Sequence, residues 1–452
     1  MSASQQTPRE TTIERPLGPT EDMYWRFDAV SPLNFGTVVR FNGTFSSDQL
    51  QRALAALQHR HPLMRSRIEL AEEGAPWFRS RVGPIPLQET RMPPGQEWAL
   101  LENELNTPFD TSVGPLMRCV LVRHSDKDAS LISVYHHAAC DGRSAVFLLR
   151  DLVQSLTQQI HGGRPDLEPL PPVEYYGDRI NTLKDYEDLE DGLKTVWRTL
   201  QASAKFMTRV GIPMGIRKAS DKPLLQQRIL VEPRFVEPEL MKRVARKARD
   251  EGVTVQCVLN AALSLTVATD SPTRAFEVTS CTQVLDIRDR LHPPVGEDCG
   301  VFVTGATSLH SLNEQTDFWS LARDIHQRLK ETLDTPLPFF HPALHRSFAA
   351  IGKVLGRRNA DVFSQMIKRL HPEGLAVSNL GQIRIEVEDA AVKVSEFGFA
   401  TNTNVFNYFN TSAATLDGRM TWSFSGSTLL GRDRIALIAD HTIARIVQAL
   451  DE

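Results

Sequence analysis

The stretch Tyr135-His136-His137-Ala138-Ala139-Cys140-Asp141-Gly142 holds the densest chemistry in the chain. Two adjacent histidines are followed, after three residues, by Asp-Gly. A neutral imidazole, with an ordinary pKa of about 6.5, is a natural base for a hydroxyl or amine proton. The Asp141 carboxylate has two readings: it fixes the orientation of an imidazole, or it pins the loop through an arginine. Gly142 is read as allowing a backbone conformation closed to other residues. A zinc site is the rival reading of the histidine pair. It needs a third ligand and a spacing such as HExxH, and the sequence supplies neither. Cys140 offers a nucleophile, although a small buried thiol suits its apolar surroundings better.

Such a loop must lie between elements that aim it at a cleft. Leu131–Tyr135 reads as a buried strand before it, and Ala145–Leu156 as an apolar helix after it. Pro115–Arg123 partly alternates, as a strand does. Upstream, Val38–Phe41 reads as a strand. Ser46 and Gln49 have capping-box spacing, Leu50, Ala53, Leu54 and Leu57 follow at helical spacing, and Pro62 ends that helix. Residues 161–173, HGGRPDLEPLPPV, are rich in Gly and Pro and open a connection. Beyond it the pattern predicts a strand at Gln227–Val231, helices at Glu239–Glu251 and Thr254–Val267, and a strand at Phe276–Leu285. A long amphipathic helix follows over Asp317–Leu333, with Phe318, Leu321, Ala322, Ile325 and Leu329 on one face. Residues 334–373 read as irregular. Strands return at Ala376–Leu380 and between Val405 and Phe424, and Arg432–Leu450 reads as a final helix. The expected organisation is a disordered tail over 1–20, an N-terminal half over 21–185, a connection over 186–225 and a C-terminal half over 226–452.

Length and composition bound the function. The 452 residues leave room for two or three domains. With 41% apolar and 23% charged residues, the chain is ordinary for a soluble protein. A formal charge of −4 favours neither nucleic acid nor an anionic membrane. No apolar run approaches the roughly 18 residues of a spanning helix, and the polar N-terminus does not read as a signal peptide. Five cysteines without a CxxC pair suit a reducing compartment, so a cytoplasmic location is expected.

The HHAACDG segment resembles the HHxxxDG motif of the CoA-dependent acyltransferase superfamily, which includes condensation domains, BAHD enzymes, polyketide-associated acyltransferases and wax ester synthases. Further matches come in order. Arg60-His61-Pro62-Leu63-Met64-Arg65 is similar to RHxxLR, with Met64 for Leu. Pro108-Phe109-Asp110 with Gly114-Pro115-Leu116 and Arg118 is similar to PFDxxxGPLxR. Asp286-Ile287-Arg288-Asp289-Arg290-Leu291-His292-Pro293-Pro294 is similar to DxRxRLxPP. Gly300-Val301-Phe302-Val303 is similar to GxFVN, with Thr304 for Asn, and Ser378-Asn379-Leu380-Gly381 to SNLG. Glu396-Phe397-Gly398-Phe399 resembles a degraded DFGWG box. The matches span residues 60–399. The GxFVT and SNLG segments favour the condensation and polyketide-associated branches.

The resemblance implies an α/β fold of two similar chloramphenicol-acetyltransferase-like halves, each a mixed sheet with flanking helices. They are expected to form a V with a tunnel between them and a crossover segment around 334–385. Phe339, Phe340, Leu344 and Phe348 are candidates for an acyl channel, with core packing as the alternative. It implies an EC 2.3.1-type acyltransferase of secondary or lipid metabolism. Its donor is acyl-CoA or an acyl carrier protein, with the thioester as co-substrate and no other cofactor or metal. Its acceptor is a small alcohol or, less favoured, an amine, and transfer is direct. His137 is the implied general base and His136 is positional. Asp141 is implied to pair with Arg288, or failing that Arg65, beside Gly142. Ser378, Asn379 and Gly381 line the substrate tunnel. The cationic helix around Lys242, Arg243, Arg246, Lys247 and Arg249 is read as a solvated face, with an acidic carrier or CoA phosphates as the other reading. A monomer is expected. An inactive binding module, an amide-forming condensation enzyme and a metal-dependent hydrolase are the alternatives.

Overall fold

The computed structural model describes residues 12–175, 201, 227–270, 279–291, 293–313, 315–334, 375–406 and 409–452. The first half runs β1 (Glu14–Pro16), α1 (Pro19–Asp28), β2 (Asn34–Asn42), α2 (Ser47–Arg60), β3 (Arg67–Leu70), β4 (Pro76–Arg79), β5 (Leu87–Arg91), α3 (Glu97–Leu105), β6 (Met117–Arg123), β7 (Asp128–His136) and α4 (Gly142–Ile160). The second runs β8 (Ile229–Val236), α5 (Pro238–Asp250), α6 (Val255–Asp270), β9 (Thr279–Asp286), β10 (Val303–His310), α7 (Phe318–Leu333), β11 (Leu375–Ile383), β12 (Lys393–Thr401), β13 (Phe409–Leu416), β14 (Arg419–Ser427) and α8 (Arg432–Asp451).

Two mixed sheets carry the fold. The first has the order β12-β2-β7-β6-β5, and the second β10-β9-β11-β13-β14-β8; β1, β4 and β3 form a small third sheet. The helix α2 starts as its sequence predicts: Ser46 Oγ accepts from Gln49 N (3.2 Å), and Gln49 Oε1 accepts from Ser46 N (2.8 Å). Its buried face is Leu50, Ala53, Leu54 and Leu57. In the second half, Trp422 and Phe424 of β14 share an apolar core with Leu259 and Leu263 of α6 and with Ile435 and Ile438 of α8. At its edge strand, Ser308, His310 and Asp324 form a hydrogen-bonded chain of 2.7 Å links that ties β10 to α7.

Three expectations need correction or relocation. The tail expected over 1–20 is ordered from residue 12 onward. Ile13 and Leu17 are buried, β1 pairs with β4, and Glu21 binds both Arg15 and the Gly18 amide at the start of α1. Apolar anchors at 13 and 17 therefore hold what reads as a polar tail. The second concerns the strand that crosses between halves. Among the described residues it is β12, paired with β2, C-terminal to the 334–385 segment. Of that segment, Leu375–Ile383 lies inside the second sheet between β9 and β13. Residues 335–374, with Phe339, Phe340, Leu344 and Phe348, lie outside the described residues, as do the 186–225 connection apart from residue 201 and the start of the strand expected from Phe276. The third correction is Gly142, whose φ is not positive. It opens α4, and room rather than backbone freedom explains the glycine: a Cβ there meets Leu380 Cδ2 at 3.0 Å.

On α5, Met241, Val244 and Ala248 face inward. Three of its cations are paired on the surface, Lys242 with Glu239, Arg243 with Asp451 and Lys247 with Glu251. Among the described residues no single helix is long and apolar enough to cross a membrane.

Candidate active site

The histidine loop is held by its own backbone. His136 N donates to Leu116 O, His137 N to Leu33 O, and Ala139 N to His136 O, each at 3.0 Å. His136 is fully buried. Its Nδ1 accepts from Ala138 N (3.2 Å), so the ring proton sits on Nε2, facing Asp28 Oδ2 at 3.7 Å. His137 is half-buried and turns the other way. Its Nδ1 donates to Cys140 O (3.0 Å), which leaves the Nε2 lone pair unused by the loop. Burial pushes the His137 imidazole below its ordinary pKa, against the opposing pull of the Cys140 carbonyl and Asp141. The ring is therefore neutral at pH 7, the form that accepts a proton. The rings of Tyr24 and Phe35 flank it at 5.0 and 5.1 Å.

Asp141 does not face the imidazole; its oxygens are spent on α4 and on the second half. As N-cap of α4, its Oδ1 accepts from Ser144 N (2.7 Å), and its Oδ2 accepts from Phe302 N (2.8 Å). Arg288 donates Nη2 to Oδ1 and approaches Oδ2 with Nη1, both at 3.1 Å. Arg288 Nη2 also donates to Ser144 Oγ (2.7 Å), which donates to Gly300 O (3.0 Å). The guanidinium lies over the Phe302 ring at 4.5 Å. Burial alone would raise the Asp141 carboxyl; the Arg288 charge and the Ser144 and Phe302 amides outweigh it and hold the pKa below the usual carboxylate range. Arg65 instead donates to His59 O (2.6 Å).

The SNLG segment reaches the same place from β11. Asn379 Oδ1 accepts from Gly381 N (2.8 Å), and Gly381 takes a positive φ of 68° at a register shift in β11. Leu380 between them abuts Gly142. Ser378 and Asn379 are half-buried, opposite Ser412 and Ala413 of β13. Cys140 is buried, and burial pushes its thiol well above its ordinary pKa, so it is no thiolate at neutral pH. Among the described residues no group of three or more His, Cys, Asp or Glu gathers as a metal site.

Two residues of this site escape sequence reasoning. Asp28 Oδ1 accepts from Leu33 N (2.9 Å) while Oδ2 faces His136. One carboxylate thus supports both the buried histidine and the segment that holds the His137 backbone. Tyr24, one helical turn earlier on α1, lies beside His137 with its ring tilted against the imidazole. Nothing in local spacing links positions 24 and 28 to 136 and 137.

Known proteins with this arrangement are recognisable. In solved structures, the chain superposes on polyketide synthase associated protein 5 from Mycobacterium tuberculosis with a TM-score of 0.69 and 16% identity, covering 97% of this chain and 98% of that one. It superposes on the first condensation domain of the calcium-dependent antibiotic synthetase with a TM-score of 0.70 and 13% identity, covering 97% of each. At such identities the likeness is one of fold. In sequence, it is 32% identical over 168 residues to phosphinothricin tripeptide synthetase PhsC of Streptomyces viridochromogenes, covering 34% of this chain and 15% of the synthetase. It is 24% identical over 269 residues to phosphinothricin tripeptide synthetase PhsB of the same organism, covering 56% of this chain and 22% of that synthetase. The chain thus spans a small part of the curated relatives it matches. The condensation-domain family matches residues 28–339, more than half of the chain and the whole of the histidine loop. The chain belongs to the condensation-domain family, a family of acyl-transferring enzymes.

Proposed function

We propose that this protein moves an acyl group from a thioester to a hydroxyl acceptor by direct attack, with His137 as general base. One observation carries the reading: His137 Nδ1 is committed to Cys140 O, so Nε2 is the basic atom, on a ring that burial keeps neutral. The acceptor oxygen gives its proton to Nε2 as it attacks the thioester carbonyl carbon. The tetrahedral intermediate then expels the thiolate, which takes the proton from His137 Nε2 and leaves as the thiol. The donor is a CoA thioester or a phosphopantetheine thioester on a carrier protein, reaching His137 between the two halves. An amine acceptor follows the same proton path and gives an amide. His136 and Asp28 position the loop, and Asp141 with Arg288 fixes its end, where α4 begins.

The test is acyl transfer by purified His137→Ala against wild type, with folding checked by thermal melting. General-base loss lowers turnover about 10²–10⁴-fold where proton removal limits the rate. Equal turnover in a folded His137→Ala protein refutes the base. His136→Ala is expected to lose less. Hydroxylamine lability of the product separates ester from amide.

A further inference from the structure

The reaction proposed above develops negative charge on the thioester carbonyl oxygen, and that oxygen needs hydrogen-bond donors placed in advance. Most of the nearby donors are already engaged, the Gly142 and Arg143 amides that open α4 being the exceptions. The amides of His137, Ala138 and Ala139 are spent on Leu33 O, His136 Nδ1 and His136 O. Ser144 N and Phe302 N are spent on Asp141. The Ser144 hydroxyl is spent between Gly300 and Arg288. Arg288 is buried and turned toward Asp141 and Asp286.

The Tyr24 hydroxyl differs from all of these. Its ring lies 5.0 Å from the His137 ring, at an interplanar angle of 50°, with Phe406 on another side at 6.1 Å. The residue is half-buried. Among the described residues its hydroxyl makes no hydrogen bond, yet it is not among the buried polar atoms left without a partner. It therefore opens onto accessible space beside the imidazole. Burial, with Asp141 and Tyr175 nearby, raises the phenol to about 12. It keeps its proton throughout the physiological range and is always a donor.

We propose that Tyr24 is a catalytic residue that donates its phenolic hydrogen bond to the thioester carbonyl oxygen, and more strongly to the oxyanion formed when the acceptor attacks. This inference rests on the acyl-transfer reading. No bond to Tyr24 forms, and its proton stays on the phenol. The base, His137 Nε2, and the donor, the Tyr24 hydroxyl, are neighbouring groups, both presented by the first half. The helix that places Tyr24 also places Asp28 under His136, so one element serves both histidines and the oxyanion.

The experiment compares wild type with Tyr24→Phe, which keeps the ring against His137 and removes only the hydroxyl. Loss of one oxyanion donor lowers kcat by about 10²–10³-fold. The KM for the thioester is expected to change less than about threefold, and the melting temperature not at all. A merely structural role would leave kcat intact or move the melting temperature. A second measurement does not depend on turnover: binding of a pantetheine trifluoromethyl ketone, whose hydrated carbon is tetrahedral and presents oxygen acceptors where the oxyanion would form. Tyr24→Phe is expected to bind it at least about tenfold more weakly. Unchanged kcat in Tyr24→Phe, or equal binding of the analogue by both proteins, overturns the inference. Weakened binding of the analogue in a protein whose wild type transfers no acyl group keeps Tyr24 as oxyanion donor and refutes the transfer reading. An analogue that wild type does not bind overturns both.

Discussion

At the histidine loop the two halves meet through charge. Asp141 of the first half is buried against Arg288 of the second, and Ser144 bridges Arg288 and Gly300. At β12 they meet through packing. Gly398 lies in a strand paired with β2, where a Cβ would come within 2.7 Å of the Trp98 ring of α3 and 2.6 Å of Thr421 Cγ2 of β14. The first contact fixes the loop that carries His137. The second closes an apolar seam in which Phe397 and Phe399 share a core with residues of both halves. A charged contact fails when one partner is removed, because the other charge stays buried. A packed contact fails when volume is added. The same two halves should therefore come apart by opposite kinds of change.

The largest effect is expected at the charged contact. Asp141→Asn keeps the shape but only one acceptor oxygen, so one of the Ser144 and Phe302 amides loses its acceptor, and it leaves Arg288 with only the half-exposed Asp286 carboxylate at 3.3 Å. Breaking a buried pair from one side costs about 3–5 kcal/mol, a large share of a typical stability of roughly 5–15 kcal/mol. Chemical denaturation should show that loss, together with lost transfer. Arg288→Gln should resemble it, and the double variant should lose less than the two single losses added. Additive losses would mean that the pair does not act as a unit.

Next in size is the packed contact. Gly398→Ala pushes a methyl group against a buried indole and a buried threonine, and overpacking of this kind costs about 1–3 kcal/mol. Below its melting range this variant should transfer acyl groups at nearly the wild-type rate, because His137 and its loop are not touched. A variant of full stability but no activity would show that β12 bears on the loop directly.

A smaller change separates the two contacts by pH. Burial sets the His137 pKa below its ordinary value, and the Asp141 charge partly opposes that shift. The base works when unprotonated, so transfer should persist below pH 6.5 and fall only as pH drops through the lowered pKa. Removing the Asp141 charge removes an attraction that favours the imidazolium. In whatever activity Asp141→Asn retains, the acid limb should move further down, whereas in Gly398→Ala it should stay. The pH-rate profiles of the three proteins check this, and an upward move in Asp141→Asn would reverse the assigned electrostatics. The same sign holds for stability. An imidazole with a lowered folded pKa binds protons more readily when unfolded, so its contribution is lost as pH falls through the ordinary His value.

What the sequence made legible follows from how local each signal is. The α2 cap and face depend on neighbours three and four residues apart, and the structure reproduces them. The HHxxxDG loop is contiguous, and its arginine partner lies in a second contiguous motif. By contrast, α1 buries Thr20, Glu21, Asp22, Met23, Trp25, Arg26, Phe27 and Asp28. A helix covered nearly all round shows no apolar stripe, so periodicity passes over it. With it went Tyr24 and Asp28, whose histidine neighbours lie more than a hundred positions away. The strand β12 was hidden by the glycine at its centre. Glycine weakens a strand and reads as a turn; here it is the residue that lets α3 and β14 approach from either side.

The two glycines give the smallest prediction and the sharpest form of the comparison. From sequence, Gly142 is the prized one, because it completes the motif. Structurally it is the more replaceable. An alanine there would meet Leu380 Cδ2 at 3.0 Å, and Leu380 is half-buried, with a side-chain end free to give by a few tenths of an ångström. Alanine is also the better helix former, by about 1 kcal/mol in a helix interior, and position 142 opens α4 without a positive φ. Gly142→Ala should therefore fall within about 1 kcal/mol of wild type in denaturation. Gly398→Ala has no such relief, since Trp98 and Thr421 are buried and neither can turn away without disturbing a packed layer. Gly142→Ala should nonetheless lose some transfer, because a displaced Leu380 disturbs the SNLG bulge beside the loop. If Gly142→Ala destabilises more than Gly398→Ala, the histidine loop tolerates added volume less than the crossing strand does. The division between a charged contact that fears removal and a packed one that fears addition would then not hold at residue 142.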